Sequence, residues 1–149
     1  MHLAFTKYSA GISEKANWIK SMSTTELFEA TGVFSPHNIV GSGKTTTMYR
    51  CRLPDGLEVA IKRFKNDTSM ESLHGNLIAE LPELGMTQHR NLVVVLGYCK
   101  KPGMVSLVME MMPNGNLARQ IQGKILDWES VVSIAVGVAN GALSSVKRV

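Results

Sequence analysis

Hydrophobic and polar positions along the chain fall into short runs with two different periods. HNIVGSG, TTMYRCRL and LEVAIKRF read as three strands, with the Pro and Asp-Gly of LPDGL turning the chain into the last. In LEVAIKRF the side chains alternate. Leu57, Val59 and Ile61 take one face, and Glu58, Ala60 and Lys62 the other. NLVVVLGYC and MVSLVMEM are apolar strands joined by KKPG, a hairpin signal. Between Asp67 and Gly85 the period changes, and Leu73, Leu77, Leu81 and Leu84 recur at helical spacing. Gly75 and Pro82 weaken that helix, and Pro82 is expected to kink or fray its last turns.

Ser23-Thr24-Thr25-Glu26 is a capping box and predicts a short helix through about Thr31, stopped by Gly32. A short helical stretch follows PNGN. From Trp128 to about Ser145 a longer helix is expected, capped by Asp127. Residues 1–22 show no clean period and read as a mobile leader. The order helix, three strands, helix, two strands, helices predicts an α+β fold, a five-stranded antiparallel sheet with one packed helix.

Composition narrows the classes of function. With 149 residues, 44% of them hydrophobic and 19% charged, the chain suits one globular domain or part of one. The net charge of +4 is spread along the chain, which favours a solvated basic surface over a nucleic-acid site. Cys51 and Cys99 lie far apart inside strand-like runs and read as buried free thiols. The four dispersed histidines give no metal-ligand spacing. No apolar run reaches the ~18–20 residues that a membrane span needs, and no signal-peptide pattern opens the chain, which as it stands reads as cytoplasmic. Gly137 and Gly141 form a GxxxG spacing, read as close packing or chance.

The segment GSGKTT raises two competing readings. A phosphate-binding P-loop needs a first glycine where Asn38 stands, and it must feed directly into a helix whose N-terminal amides hold the phosphates. TTTMYRCRLP follows instead, rich in β-branched and aromatic residues and closed by Pro54, so a strand is expected there. The second reading is the glycine-rich lid of a protein kinase. Downstream residues support it: a small Ala60 beside Lys62 leaves room for a flat base while the ammonium reaches phosphates. Such a lysine needs an orienting carboxylate, for which Glu80 is the natural partner and Glu83 the fallback.

TTELFEATGVFSPHNIVGSG, LPDGLEVAIKRF, QHRNLVVVLGYC, LVMEMMPNGNL and LDWESVVSIAVGVANG, in this order and spacing, resemble the start of a plant receptor-like serine/threonine kinase domain of the leucine-rich-repeat type. The resemblance runs from about residue 23 to 141. It implies a kinase small lobe and hinge over 23–112 and the truncated start of a large lobe over 113–149. It also implies ATP as ligand and phosphoryl transfer to protein Ser/Thr as the family activity. Val40, Gly41, Gly43 and Met48 would then line the nucleotide lid, and Ala60 the adenine site. Lys62 would contact the α- and β-phosphates, paired with Glu80. Met109 takes the gatekeeper position, and backbone groups of Glu110 and Met112 would bond the adenine edge. His89 falls in the family's HRN turn, where a structural role is expected.

The chain departs from the family pattern in the lid, which usually reads G-x-G-x-[FY]-G-x-V. Thr45, Thr46 and Met48 replace the aromatic residue, the third glycine and the valine. A β-branched Thr resists backbone conformations that glycine allows, and Met48 would press into the adenine site. After Gly141 the sequence diverges into ALSSVKRV, with no H-R-D or D-F-G segment. No catalytic residue and no Mg2+ ligand is therefore assigned, and ATP binding is expected to be weak or lost. The alternative is a non-catalytic fragment that docks on intact kinases or receptor proteins, through apolar Trp128, Val131, Val132, Ile134, Ala135 and Val138. The family would place the chain at the cytoplasmic face of the plasma membrane.

Overall fold

The computed structural model describes residues 20–65, 79, 89–123 and 126–146. Residues 1–19 of the expected leader lie outside these, as does the leucine-striped segment with Glu80, Pro82 and Glu83. Two compact units are present, Met1–Thr87 with Val94–Met111 and Gln88–Val93 with Met112–Val149. His89–Val93, assigned to the small lobe on sequence grounds, thus belongs to the second unit.

The first unit is built on a sheet of β1 (Lys20–Ser21), β2 (Ile39–Ser42), β3 (Thr46–Arg52), β4 (Glu58–Phe64), β5 (Val95–Lys101) and β6 (Met104–Glu110). The strand order is β1-β5-β6-β4-β3-β2. Five strands pair antiparallel as the periodicity predicts, and β1 adds a sixth that runs parallel to β5. Lys20 and Ser21 are therefore part of the sheet and not of a leader, and Met22 beside them is buried, its N–H donating to the Tyr98 carbonyl at 2.8 Å. Two residues of strand carry no readable period, so only backbone pairing reveals them. β5 also starts later than NLVVVLGYC suggests, at Val95.

Cross-strand partners share a face of the sheet, so the register fixes both faces. Tyr49, Ile61 and Val108 form one row and Cys51 and Val59 another, all buried. Helix α1 (Thr24–Thr31) sets Leu27 into this core, where it is 0% exposed. Its start is the predicted capping box: Ser23 Oγ accepts from the Glu26 N–H, and Glu26 accepts from the Ser23 N–H. Burial pushes the Cys51 thiol up to about 11, so it stays protonated at neutral pH.

The end of α1 is more tightly specified than a glycine stop. Gly32 is left-handed (φ 57°), but so are Val33 (φ 56°) and Phe34 (φ 58°), which costs non-glycine residues about 1–3 kcal/mol each. Thr31, fully buried, offsets this strain. Its hydroxyl donates to the Leu27 carbonyl at 2.8 Å and accepts from the Phe34 N–H at 2.9 Å, and its carbonyl accepts from Asn38 Nδ2 at 3.0 Å. The Phe34 ring then packs against Phe28 and Tyr49, with the Arg63 guanidinium 4.2 Å from its centroid.

The second unit holds α2 (Leu117–Gln122), capped by Asn116, and α3 (Trp128–Val146). Asp127 caps α3 as expected: Oδ1 accepts from the Ser130 N–H at 2.8 Å, and bonds to Ser130 lower its pKa. The GxxxG pair proves to be a packing notch. A Cβ on Gly137 would stand 2.9 Å from Asn91 Nδ2, and one on Gly141 would stand 3.1 Å from the Asn91 carbonyl.

Candidate nucleotide-binding site

Opposite the α1 core, the sheet presents a second face with a different chemistry. Met48, Lys62 and Leu107 are Cα partners across β3, β4 and β6, and Arg50, Ala60 and Met109 form the next row. The alternation predicted for LEVAIKRF thus holds, and it brings four sequence-selected residues, Met48, Ala60, Lys62 and Met109, onto one surface. Ala60 is buried and the other three are half-buried. The Lys62 ammonium lies 5.6 Å from the centroid of the Phe64 ring, and among the described residues it makes no ion pair. Among the described residues the carboxylate on this surface is Glu58, which is occupied: Arg50 reaches it at 2.9 Å and Arg52 at 3.2 Å, and the two guanidiniums hold its carboxyl below the usual range.

Val40, Gly41 and Gly43 lie on or beside β2, where the register slips between Ile39 and Gly41 and Val40 bulges out, exposed. Gly41 is paired with Met48, and a Cβ there would meet nothing within 4 Å. Neither Gly41 nor Gly43 has positive φ, so their own fold does not require glycine. Open space over Gly41 suits close approach of a bulky group to the backbone. From Gly43 to Thr46 the chain closes a tight turn, with the Gly43 N–H donating to the Thr46 carbonyl at 2.8 Å. No helix follows: Thr46 opens β3, which removes the P-loop reading.

Glu110 ends β6. Its side chain accepts from the Val94 N–H at 2.8 Å, and its own N–H donates to the Val94 carbonyl at 3.0 Å. Its backbone is therefore fixed at the edge where the sheet stops. Met112, in the second unit, is exposed, and its carbonyl accepts from the Gly115 N–H at 3.4 Å. His89 accepts from the Asn91 N–H through Nδ1 at 3.2 Å, a turn-forming bond of the structural kind expected.

Residues 34–144 match the family described as protein tyrosine and serine/threonine kinase. The chain belongs to this kinase family. Among its relatives is a leucine-rich repeat receptor-like protein kinase of Arabidopsis thaliana whose name carries the word inactive, 38% identical over 129 residues, covering 83% of this chain and 20% of that protein. The L-type lectin-domain containing receptor kinase SIT2 of Oryza sativa subsp. japonica is 41% identical over 125 residues, covering 81% of this chain and 18% of that protein. In fold, the chain resembles the pseudokinase DRIK1 solved in complex with ENMD-2076, with TM-score 0.67 and 28% identity over 82% of this chain and 49% of that one. The chain thus spans about a fifth of the length of the curated receptor kinases it matches, within their kinase domain. No helix among the described residues is long and apolar enough to cross a membrane.

The kinase family uses ATP with Mg2+, and the residues on the second face fit its nucleotide. They offer a cation without a described counter-charge, a small buried Ala60 and free space over Gly41. Sequence reasoning missed Lys65, which contacts the lid from the end of β4. Its spacing three residues after Lys62 carries no signal, because the contact arises only when β4 returns beside the β2–β3 turn.

Proposed function

We propose that this chain supplies the ATP-binding small lobe and hinge of a receptor-like kinase domain at the cytoplasmic face of the plasma membrane. The observation that carries this reading is the shared face of Met48, Ala60, Lys62 and Met109 opposite the α1 core. Lys62 reaches toward the phosphates, Ala60 and Met109 bound the adenine site, and backbone groups of Glu110 and Met112 bond the adenine edge. Glu80, which lies outside the described residues, is the carboxylate proposed to orient Lys62. Bound ATP with Mg2+ supplies the transferable phosphoryl group. Proton acceptance and metal binding in that transfer need H-R-D and D-F-G segments that these 149 residues do not contain. Nucleotide affinity in this chain is weak or lost, because Thr46 lacks the backbone freedom of the family's third glycine and Met48 is longer than the family's valine at the adenine site.

Titration with ATP, with and without Mg2+, followed by thermal shift tests the reading. Wild type should be stabilised and Lys62→Met should respond at least several-fold less. Identical responses of the two proteins would remove the nucleotide site.

A second reading rests on α3. Trp128 is 77% exposed, and Val132, Val136, Val138 and Leu143 are exposed too, an apolar display suited to a protein partner. Docking on intact receptor kinases is the corresponding function. A pull-down that recovers none of them, together with a monomeric elution profile, would count against it.

A further inference from the structure

Lys65, just past β4, bonds the lid at two points. Its backbone N–H donates to the Thr45 carbonyl at 2.8 Å, continuing the β3–β4 ladder, and its ammonium donates to the Gly43 carbonyl at 2.6 Å. Between these anchors the Gly43 N–H closes the turn onto Thr46. The lid tip is thus held from outside its own hairpin, by one exposed side chain. That matters because the position that the family gives to a third glycine is Thr46, the first residue of β3 and half-buried. An ammonium-to-carbonyl bond is charge-assisted and stronger than a neutral one. It fixes the orientation of the Gly43 peptide, whose neighbours Gly41 and Ser42 form the backbone that polyphosphate would approach.

We propose that Lys65 is a positioning residue of the nucleotide lid: it holds the Gly43–Thr46 turn in the conformation that receives the phosphates, in a chain whose lid has lost its third glycine. The part concerning nucleotide rests on the function proposed above, and the part concerning lid order does not. Lys65→Met removes the ammonium and leaves the backbone bond to Thr45 in place. Lys65→Arg retains a donor.

The test is residue-resolved amide hydrogen exchange on the full chain, paired with titration by ATP and by adenosine. In Lys65→Met the Gly43 amide should exchange about fivefold faster than in wild type, while Lys65→Arg stays within about twofold. Unchanged Gly43 exchange in Lys65→Met overturns the lid role. In the titrations Lys65→Met should weaken ATP by about threefold or more and leave adenosine unchanged, since only ATP needs the lid at its phosphates. Equal effects on both ligands, or none, overturn the nucleotide part. Absence of ATP binding in wild type would sink the proposed function and this nucleotide part together, while the exchange result would still decide whether Lys65 orders the lid.

Discussion

The two faces of the sheet use the same strands for different ends. On one, α1 closes over Tyr49, Cys51, Val59, Ile61 and Val108, and the buried Thr31 hydroxyl finds partners within its own turn. On the other, Met48, Lys62 and Met109 remain half-buried, and the Lys62 ammonium lies near the Phe64 ring with no ion pair among the described residues. Departures from the family's lid pattern, at Thr45, Thr46 and Met48, fall on the lid or on this second face, and none falls in the α1 core. Stability and ligand binding are therefore separable by residue: alternate positions of β3 and β4 answer to different demands.

That separation can be broken at its strongest point by Leu27→Ala. A fully buried leucine truncated to alanine should cost about 2–5 kcal/mol in urea unfolding. A loss below ~1 kcal/mol would mean that α1 is not the lid of the core. A finer comparison sets two buried hydroxyls of the same face against each other. Thr31→Val removes bonds that hold left-handed Val33 and Phe34 and should cost about 1–3 kcal/mol. Ser106 is 0% exposed and its hydroxyl has no partner among the described residues, so Ser106→Ala should be neutral or stabilising by up to ~1 kcal/mol.

Across the sheet, Lys62→Met should leave the unfolding free energy within ~0.5 kcal/mol of wild type while reducing the response to ATP. A large stability loss there would make the second face part of the structural core. The smallest effect concerns Glu58, whose carboxyl is held below its ordinary range by hydrogen bonds from Arg50 and Arg52 and by their charge. A depressed carboxyl stabilises the fold above its unfolded pKa and loses that contribution as pH falls through the folded one. Glu58→Gln should therefore narrow the stability difference between neutral pH and pH below the glutamate range. It should do so only slightly, because the ion pairs are solvent-exposed. A pH profile identical to wild type would show that the ion pairs contribute nothing.

Local chemistry made much of this legible. The Ser23–Glu26 capping box, the alternation of LEVAIKRF, the Asp127 cap and the strand after GSGKTT all express themselves within a few residues, and each appears where the sequence places it. Features set by side-chain bonding inside a turn or by packing across the fold were not legible. Left-handed Val33 and Phe34 depend on the Thr31 hydroxyl and on the Phe34 ring docking against Tyr49, and no composition rule singles them out. Gly137 and Gly141 gain meaning only when Asn91 lies against them. Of the candidate site, the face shared by Met48, Ala60, Lys62 and Met109 follows from strand alternation plus register, whereas Lys65 required the folded turn. Glu80 lies outside the described residues.

The two-residue strand β1 has a practical bearing on how this protein is handled. By pairing Lys20 and Ser21 with Gly97 and Tyr98, and by the Met22 bond to Tyr98, it covers backbone groups that would otherwise line the bare margin of β5. An uncovered strand margin is a template for a neighbouring molecule to add onto. A chain trimmed to begin at the Ser23 cap would keep every element of the nucleotide face and still gain a self-association hazard on the far side of the sheet. Expression boundaries are better drawn ahead of Lys20 than at the first helix.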